Sequence, residues 1–186
     1  MHRPETCHFD PLDIDRIEAA RQDGRIGRTL VLFKSTASTN DIAWQYARNR
    51  AHDGLCVLAE SQSKGRGRRG RTWHSAPGQS LLASVLLLEE SRPAELLTLI
   101  TAVAAADAIR TVSRLSPQIK WPNDILVNGR KVAGILVEQK NRNKGTHFVL
   151  GIGINCHQDG NFFRQLNLNM PGTSLACETG HPVDRT

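Results

Sequence analysis

Residues 125–138 read Ile-Leu-Val-Asn-Gly-Arg-Lys-Val-Ala-Gly-Ile-Leu-Val-Glu. Two mainly apolar stretches, 125–127 and 131–138, lie on either side of the dipeptide Asn128-Gly129. Both residue types tolerate the left-handed backbone angles that a two-residue hairpin turn requires. The segment therefore predicts an antiparallel β-hairpin, and the rest of the fold is built outward from it.

One long helix is predicted upstream of this hairpin, because apolar residues recur at helical spacing after Pro93. The other predicted strands are Thr29–Phe33, Leu55–Ala59, Ser80–Leu88, Ile119–Trp121 and Phe148–Asn155, and shorter helices are predicted at Asp10–Asp23 and from Ser38 or Thr39 to Ala47. Strands cluster on either side of the long helix rather than alternating with helices. We predict an α+β domain with a mainly antiparallel or mixed sheet packed on helices. From Gln158 onward we expect loop, with little to pack against.

Composition limits the classes of protein that this chain can be. Its 186 residues suffice for one compact domain, with 39% hydrophobic and 23% charged residues. Five of the cations lie between Lys64 and Arg71, so the net charge of +6 falls to 6 − 5 = +1 without them. A basicity confined to one loop disfavours a protein that coats nucleic acid.

Neither a membrane segment nor a disulfide framework is expected. We expect no stretch of the sequence to contain the roughly 18 consecutive apolar residues that a membrane span needs. The N-terminus also lacks the apolar core of a signal peptide. Four cysteines are scattered without paired spacing: Cys7, Cys56, Cys156 and Cys177. Free thiols in a reducing cytoplasm are the expectation, and no metal-ligating residues are predicted.

The segment Ser61–Trp73 contains the sequence GRGRRGR followed by Thr-Trp. Like charges repel and glycines lose much entropy on ordering, so we expect a loop that is mobile when empty and orders around an anion. It matches neither a Walker A sequence nor a dinucleotide-binding fingerprint. Taken alone, such a segment is more often a solvated or nucleic-acid-binding stretch than a catalytic one.

Three more polar clusters are candidates for a site. They are Ser35–Asn40, the sequence Lys-Trp-Pro-Asn-Asp at 120–124, and Gly-Ile-Gly-Ile-Asn at 151–155. Each has an ordinary structural explanation when taken alone: a helix cap, a turn, and a strand bulge. Only their combination favours a shared site.

In their order and approximate spacing, these motifs resemble the catalytic domain of biotin protein ligases. The resemblance rests on Ser38-Thr39-Asn40, Gln62, GRGRRGRTW, KWPND with 131–138, and GIGIN. It runs from about Thr29 to Asn155 and is weaker beyond. It implies a class II synthetase-like biotin/lipoate ligase fold. Residues 1–186 would form a single catalytic domain that is short at its C-terminus, without an N-terminal winged helix or a C-terminal SH3-like barrel.

The resemblance also implies an activity: an ATP-dependent ligase that forms biotinyl-5′-AMP and transfers biotin to a lysine of a biotin carboxyl carrier protein. ATP and biotin would be substrates, with Mg²⁺ expected, and the partner would be the carrier domain of acetyl-CoA carboxylase. Cytoplasmic location, no nucleic-acid or membrane partner, and self-pairing of edge strands into a homodimer are further expectations. The alternatives are a lipoate or octanoate acyl ligase, and a truncated, non-catalytic binder of biotin or biotinyl-AMP.

Residue roles follow from the matched motifs. Lys120 and Arg68 are the catalytic candidates, with Lys120 holding the carboxyl or acyl-phosphate oxygen. The biotin-binding candidates are Ser38, Thr39, Asn40, Gln62, Arg66, Gly67, Arg68, Lys120 and Gly134. The nucleotide-binding candidates are Arg66, Arg68, Arg69, Arg71, Trp73, Asn123 and Asn155. Asn123 and Asp124 would position Mg²⁺ or Lys120.

Overall fold

The computed structural model describes residues 11–142, 145–166 and 168–186. Cys7 and the start of the first predicted helix at Asp10 lie outside these ranges. The chain forms a seven-stranded sheet in the order β1-β2-β3-β7-β6-β5-β4. The strands are β1 Leu30–Phe33, β2 Cys56–Ala59, β3 Ser80–Leu87, β4 Gln118–Lys120, β5 Asp124–Val127, β6 Arg130–Arg142 and β7 Gly145–Asn155.

Five α-helices accompany the sheet in the described residues. They are α1 Ile14–Ala20, α2 Thr39–Tyr46, α3 Ala94–Ser113, α4 Gly160–Gln165 and α5 Leu175–Thr179. Successive side chains of a strand point to opposite faces of the sheet, and in β2 neighbouring residues belong to different core clusters. Val57 packs in the cluster that includes Ala43 and Trp44 of α2, whereas Leu58 packs with Leu12 beside α1. The helix α3 packs on β6 and β7. The helix α2 therefore covers one face of the sheet, and α1 and α3 cover the opposite face.

The predicted fold class is confirmed, and the sheet is mixed. The pair β1–β2 is parallel, and every other neighbouring pair in the sheet is antiparallel. The predicted hairpin is present, with Asn128 and Gly129 at φ of 50° and 75°. The strand β6 continues past its predicted end at Glu138 to Arg142, because it pairs with β7 along that whole length.

The expectation of a loop-like C-terminal segment without packing partners was wrong. Two short helices, α4 and α5, form there, and Leu175 and Val183 are buried in the main core cluster. The two apolar residues of this segment that enter the main core, Leu175 and Val183, lie apart in the sequence and belong to no helical or strand period. They are buried by fitting between elements that are distant in the sequence.

The expectation about apolar windows needs a correction at α3. Among the described residues, Ala94–Ser113 is long and apolar enough to cross a membrane by length and composition, with a mean hydropathy of 1.5. Six residues of this helix are buried in the fold. Its alanines allow close packing on β6 and β7, whereas larger apolar side chains such as Leu99 and Val112 are exposed on its other side.

A buried ion pair ties the C-terminal segment to the base of the basic loop. Arg185 donates from Nη1 to Glu60 Oε2 at 2.9 Å and to the Ser80 carbonyl at 3.0 Å, with none of its side chain exposed. Glu60 also accepts from the Leu12 amide at 2.6 Å. Gly78 N donates to the Glu60 carbonyl at 3.0 Å, which brings the two ends of the loop together.

Replacing Arg185 by methionine is expected to lower the free energy of unfolding by about 3–5 kcal/mol, because it leaves the Glu60 carboxylate buried without its cation. Urea denaturation measures the change. The control is Arg16→Met, which removes the Arg16–Asp184 pair, whose side chains are 57% and 50% exposed. That variant should change stability by less than about 1 kcal/mol. Equal effects of the two variants would contradict the assignment.

A second charged cluster predicts the response to acid. Arg25 bonds to Asp53 at 2.7 and 2.8 Å and to Glu90 at 2.8 Å. Burial acts to raise the pKa of both carboxyls. Hydrogen bonds outweigh it: those from Arg25 and the Leu88 amide lower the pKa of Asp53, and those from the Arg92 amide and Arg25 lower the pKa of Glu90.

Because both folded pKa values lie below the ordinary 3.8 and 4.5, the contribution of this cluster to stability is complete above about pH 4.5. It is lost as the pH falls through the folded pKa values. We expect the free energy of unfolding to fall between pH 5 and 3 less steeply in Arg25→Met than in the wild type. Urea denaturation across that pH range is the measurement, and parallel slopes would refute it.

Candidate functional site

All fifteen residues predicted for the site, Asp124 included, line one cavity of about 700 Å³. It opens on the α2 face of the sheet. The start of α2 and Gln62 form one end, the basic loop forms a wall, and Asn155 lies towards the other end, near the segment that follows α4. Motifs that lie up to 117 residues apart in the chain (Ser38 to Asn155) therefore share one space.

A series of hydrogen-bonded polar side chains, buried except for the half-buried Gln62, lies at and beneath the first end of the cavity. Gln62 Oε1 accepts from the Thr39 amide at 2.7 Å and lies 3.0 Å from Thr39 Oγ1. Ser84 Oγ lies 2.7 Å from Thr39 Oγ1 and 2.6 Å from Asn40 Oδ1. Ser38 occupies the N-cap position of α2 without a side-chain cap bond, so helix capping does not account for these hydroxyls. Sequence analysis did not identify Ser84, which lies inside an apolar strand.

The basic loop has a defined hairpin conformation. Trp73 N donates to the Gly65 carbonyl at 3.0 Å, and Gly67 N donates to the Arg71 carbonyl at 2.7 Å. At its tip, Arg69 and Gly70 both have left-handed backbone angles, with φ of 56° and 72°. These conformations let the chain reverse within three residues. That its order depends on a bound anion stays a prediction.

Trp73 anchors this hairpin on the sheet. Gly134 of β6 and Gly153 of β7 are register partners, and the indole lies over both. A Cβ at Gly153 would come within 2.6 Å of the ring, and a Cβ at Gly134 within 3.0 Å. The glycine at 134, predicted to admit a ligand close to the sheet, admits this indole. The pair forms what we call the glycine cradle, Gly134 and Gly153.

A lysine that sequence analysis did not assign lies in the middle of the cavity. Lys131 Nζ is 2.6 Å from Asp124 Oδ1 and 5.7 Å from the centroid of the Trp73 ring, and its side chain is 27% exposed. Lys120, the predicted catalytic lysine, also lines the cavity but is exposed, with Nζ 3.6 Å from Met170 Sδ. The signal for Lys131 was its position three residues before Gly134, within the stretch 131–138 on which the family resemblance partly rests.

The wall near Asn155 is largely apolar and was not predicted. It includes Phe163, Leu166, Leu168 and Met170. Asn155 is buried at the sheet edge of this wall, donating to the Thr173 carbonyl at 3.0 Å. Leu166, Leu168 and Met170 recur at every second position, but this spacing does not indicate a cavity wall, and the path of the chain after β7 brings them to the cavity.

Cations outnumber carboxylates around the cavity. Arg66 pairs with Asp41 at 2.7 Å and with Glu138 at 3.0 Å. Burial acts to lower the pKa of Arg66, but its bonds to these two carboxylates raise it overall. Three exposed arginines of the loop form no ion pair with the described residues: Arg68, Arg69 and Arg71. They are free to bind an anion in the cavity.

Comparison with known proteins connects this cavity to a family. The sequence profile of the Biotin/lipoate A/B protein ligase family matches residues 32–155, two thirds of the chain. The chain belongs to this family. The matched span runs from β1 to the end of β7 and contains every residue predicted for the site.

Individual relatives agree with this family membership. The chain is 37% identical over 163 residues to the bifunctional ligase/repressor BirA of Bacillus subtilis, covering 86% of this chain and 50% of the relative. It is 40% identical over 161 residues to a biotin–[acetyl-CoA-carboxylase] ligase of Paracoccus denitrificans, covering 82% and 65%. The chain therefore spans about half to two thirds of the length of these relatives.

Solved structures share the fold. A biotin protein ligase from Aquifex aeolicus, in complex with biotin and ATP, superposes with a TM-score of 0.67 at 29% identity, covering 85% of this chain and 64% of that one. A biotin protein ligase from Leishmania major, in complex with biotin, superposes with the same TM-score at 26% identity, covering 84% and 67%.

Proposed function

We propose that this chain is the catalytic part of an ATP-dependent biotin ligase. In the first step the biotin carboxylate attacks the α-phosphorus of ATP, which gives biotinyl-5′-AMP and releases pyrophosphate. In the second step the ε-amine of a carrier lysine attacks the acyl carbon, which forms an amide and releases AMP. The carrier would be the biotin carboxyl carrier domain of acetyl-CoA carboxylase.

One observation carries this proposal: a single cavity offers three environments in a row. The polar chain around Thr39 and Gln62 suits a small polar ring, the cations in the middle suit two anions, and the apolar wall with Trp73 suits an adenine. The named relatives that bind biotin and ATP support the same assignment of ligands.

Bringing a carboxylate to a phosphate opposes two negative charges, so the first step depends on cations placed in advance. Arg68 and Arg71 extend from the hairpin wall, and Lys131 extends from β6. The hairpin also covers the cavity from one side, which would shield the mixed anhydride from water. Arg66 is held by Asp41 and Glu138, so we assign it to positioning the hairpin before ligand binding.

The described residues contain no cluster of three or more side chains of the kinds that hold a metal ion. Asp124 is paired with Lys131, and Asn123 Oδ1 lies 3.4 Å from Arg68 Nη1. Asp124, with the Asn123 amide beside it, would hold a Mg²⁺ that accompanies the nucleotide. Bound there, the ion would neutralise phosphate charge.

We also propose that the chain works in the cytoplasm. Three described cysteines are free thiols: Cys56, Cys156 and Cys177. Burial raises the pKa of Cys56 and of Cys156 to about 11, which keeps both thiols protonated and unreactive. Pairing of the edge strands β1 or β4 into a homodimer stays a prediction.

The test is incubation with ATP, Mg²⁺, labelled biotin and a carrier domain, followed by counting label on the carrier lysine. Biotin-dependent exchange of pyrophosphate into ATP monitors the first step separately. Label on the carrier supports the full proposal, and exchange without transfer restricts it to the first step. Exchange driven by lipoate or octanoate but not by biotin would replace it with the related acyl ligase activity.

A further inference from the structure

Glu138 lies outside the predicted site, yet its carboxylate collects four contacts. Its Oε2 atom accepts from Asn40 Nδ2 at 3.1 Å and from Trp44 Nε1 at 3.0 Å. Arg66 Nη2 lies 3.2 Å from Oε2 and 3.0 Å from Oε1. The side chain is 28% exposed and stands on β6 at the back of the polar end of the cavity.

A carboxylate only accepts, so it determines how its neighbours must point. With Asn40 Nδ2 directed at Glu138, Asn40 Oδ1 must face Ser84 Oγ, 2.6 Å away. The amide oxygen carries no proton. The hydroxyl proton of Ser84 is therefore committed to Asn40 and is not available to Thr39.

The series of hydrogen bonds from Asn40 to Gln62 has fewer hydroxyl protons than contacts. Three contacts follow in series: Asn40–Ser84 at 2.6 Å, Ser84–Thr39 at 2.7 Å and Thr39–Gln62 at 3.0 Å. Ser84 and Thr39 supply only two hydroxyl protons for them. Oxygens that meet without a proton repel one another, and the repulsion is least across the longest contact. Thr39 therefore donates to Ser84, and the contact from Thr39 to Gln62 is left without a proton.

We infer that Glu138 is a positioning residue that keeps Thr39 Oγ1 and Gln62 Oε1 free as a pair of acceptors for a ring N–H of the substrate. This rests on the proposed function, which places the ureido ring of biotin at that end of the cavity. A ureido N–H supplies the proton that the contact lacks. Without the carboxylate, the Asn40 amide can rotate by about 180° and donate to Ser84. Each hydrogen bond in the series then reverses its direction, so Thr39 donates to Gln62 and the acceptor pair is no longer available to the substrate.

The experiment compares binding of biotin with binding of two cyclic carbamate analogues, each with an oxygen in place of one ureido N–H, by calorimetry. In the wild type, one analogue should bind at least about 100-fold more weakly than biotin, since its oxygen faces two acceptors. Glu138→Met removes the acceptor at similar length and should reduce this discrimination to less than about tenfold.

Glu138→Gln is the matched control. Its amide oxygen can still accept from Asn40, so it should keep the discrimination while losing the ion pair with Arg66. Asp41→Asn, which weakens only the Arg66 pairing, should likewise keep it. If Glu138→Met fails to fold, Ser84→Ala is the deciding variant. It removes the hydroxyl that links Asn40 to Thr39, so the Thr39 proton becomes available to Gln62.

Retained discrimination in Glu138→Met, or in Ser84→Ala when that variant decides, overturns the inference. So does a wild type that binds biotin and both analogues equally. A wild type that binds no biotin at all contradicts the proposed function instead, which keeps the two failures separate. Equal losses in Glu138→Gln and Glu138→Met would show that Glu138 acts only through Arg66, which also overturns it.

Discussion

Replacing Lys131 by methionine is expected to slow adenylate formation by about 100- to 1000-fold while the fold is kept. That range corresponds to the loss of one preorganised donor from the developing charge, about 2.7–4 kcal/mol. The ammonium lies in the middle of the cavity between Asp124 and the Trp73 ring, where a carboxylate and a phosphate would meet. Biotin-dependent pyrophosphate exchange measures the rate.

The comparison with Lys120→Met makes this prediction decisive. The sequence motif assigns the oxygen-holding role to Lys120, whereas the geometry favours Lys131, because Lys120 is exposed at the cavity margin. The Lys131 variant should be slower than the Lys120 variant by at least about tenfold under conditions where urea denaturation shows both variants to be fully folded. Lys34→Met removes an exposed cation that does not line the cavity and controls for net charge. The reverse order of rates would restore the assignment from the motif.

Replacing Gly153 by alanine is expected to displace the Trp73 indole and to weaken joint binding of biotin and ATP by about 100-fold. The added Cβ would lie 2.6 Å from Cε2 and 2.8 Å from Cζ2 of the ring, closer than real contacts allow. The hairpin would lose its anchor on the sheet, and misplacement by about 1 Å suffices for such a loss. Gly134→Ala meets the ring only at 3.0 Å, so its effect should be smaller, about tenfold.

Indole fluorescence, in a background with Trp44 and Trp121 replaced by phenylalanine, reports whether Trp73 has left the cradle. Gly24→Ala is the control, because a Cβ there meets nothing within 4 Å. It should leave binding and fluorescence unchanged. Displacement of the indole with wild-type binding would show that Trp73 does not anchor the hairpin.

Much of the sheet could be predicted because its strands are encoded locally. The apolar run of β3 predicted a central strand, and Asn128-Gly129 predicted a hairpin. Both signals arise from backbone preference and solvent exclusion within a few residues. The α4–α5 segment could not be predicted in this way, since Leu175 and Val183 are buried in a cluster formed by α3 and the strands β5, β6 and β7.

The motifs predicted which residue types meet at the site, but they did not predict the role of each residue there. The motif GRGRRGR does not distinguish Arg66 from Arg68. In the structure Arg66 forms ion pairs with two carboxylates, whereas Arg68 forms none with the described residues. The same holds for the two lysines of the cavity, Lys120 and Lys131. Ion pairing depends on distances between strands and helices, which no local pattern contains.

Sequence alone determined the family, the hairpin-rich sheet and the motif residues that meet in the cavity, because these follow from residue type and short-range spacing. Tertiary structure decided which lysine is enclosed, that Gly134 and Gly153 hold an indole, and that Glu138 orients Asn40. Each of these depends on register between strands far apart in the chain. Register follows from the packing of the whole sheet, so it becomes visible only once the chain is folded.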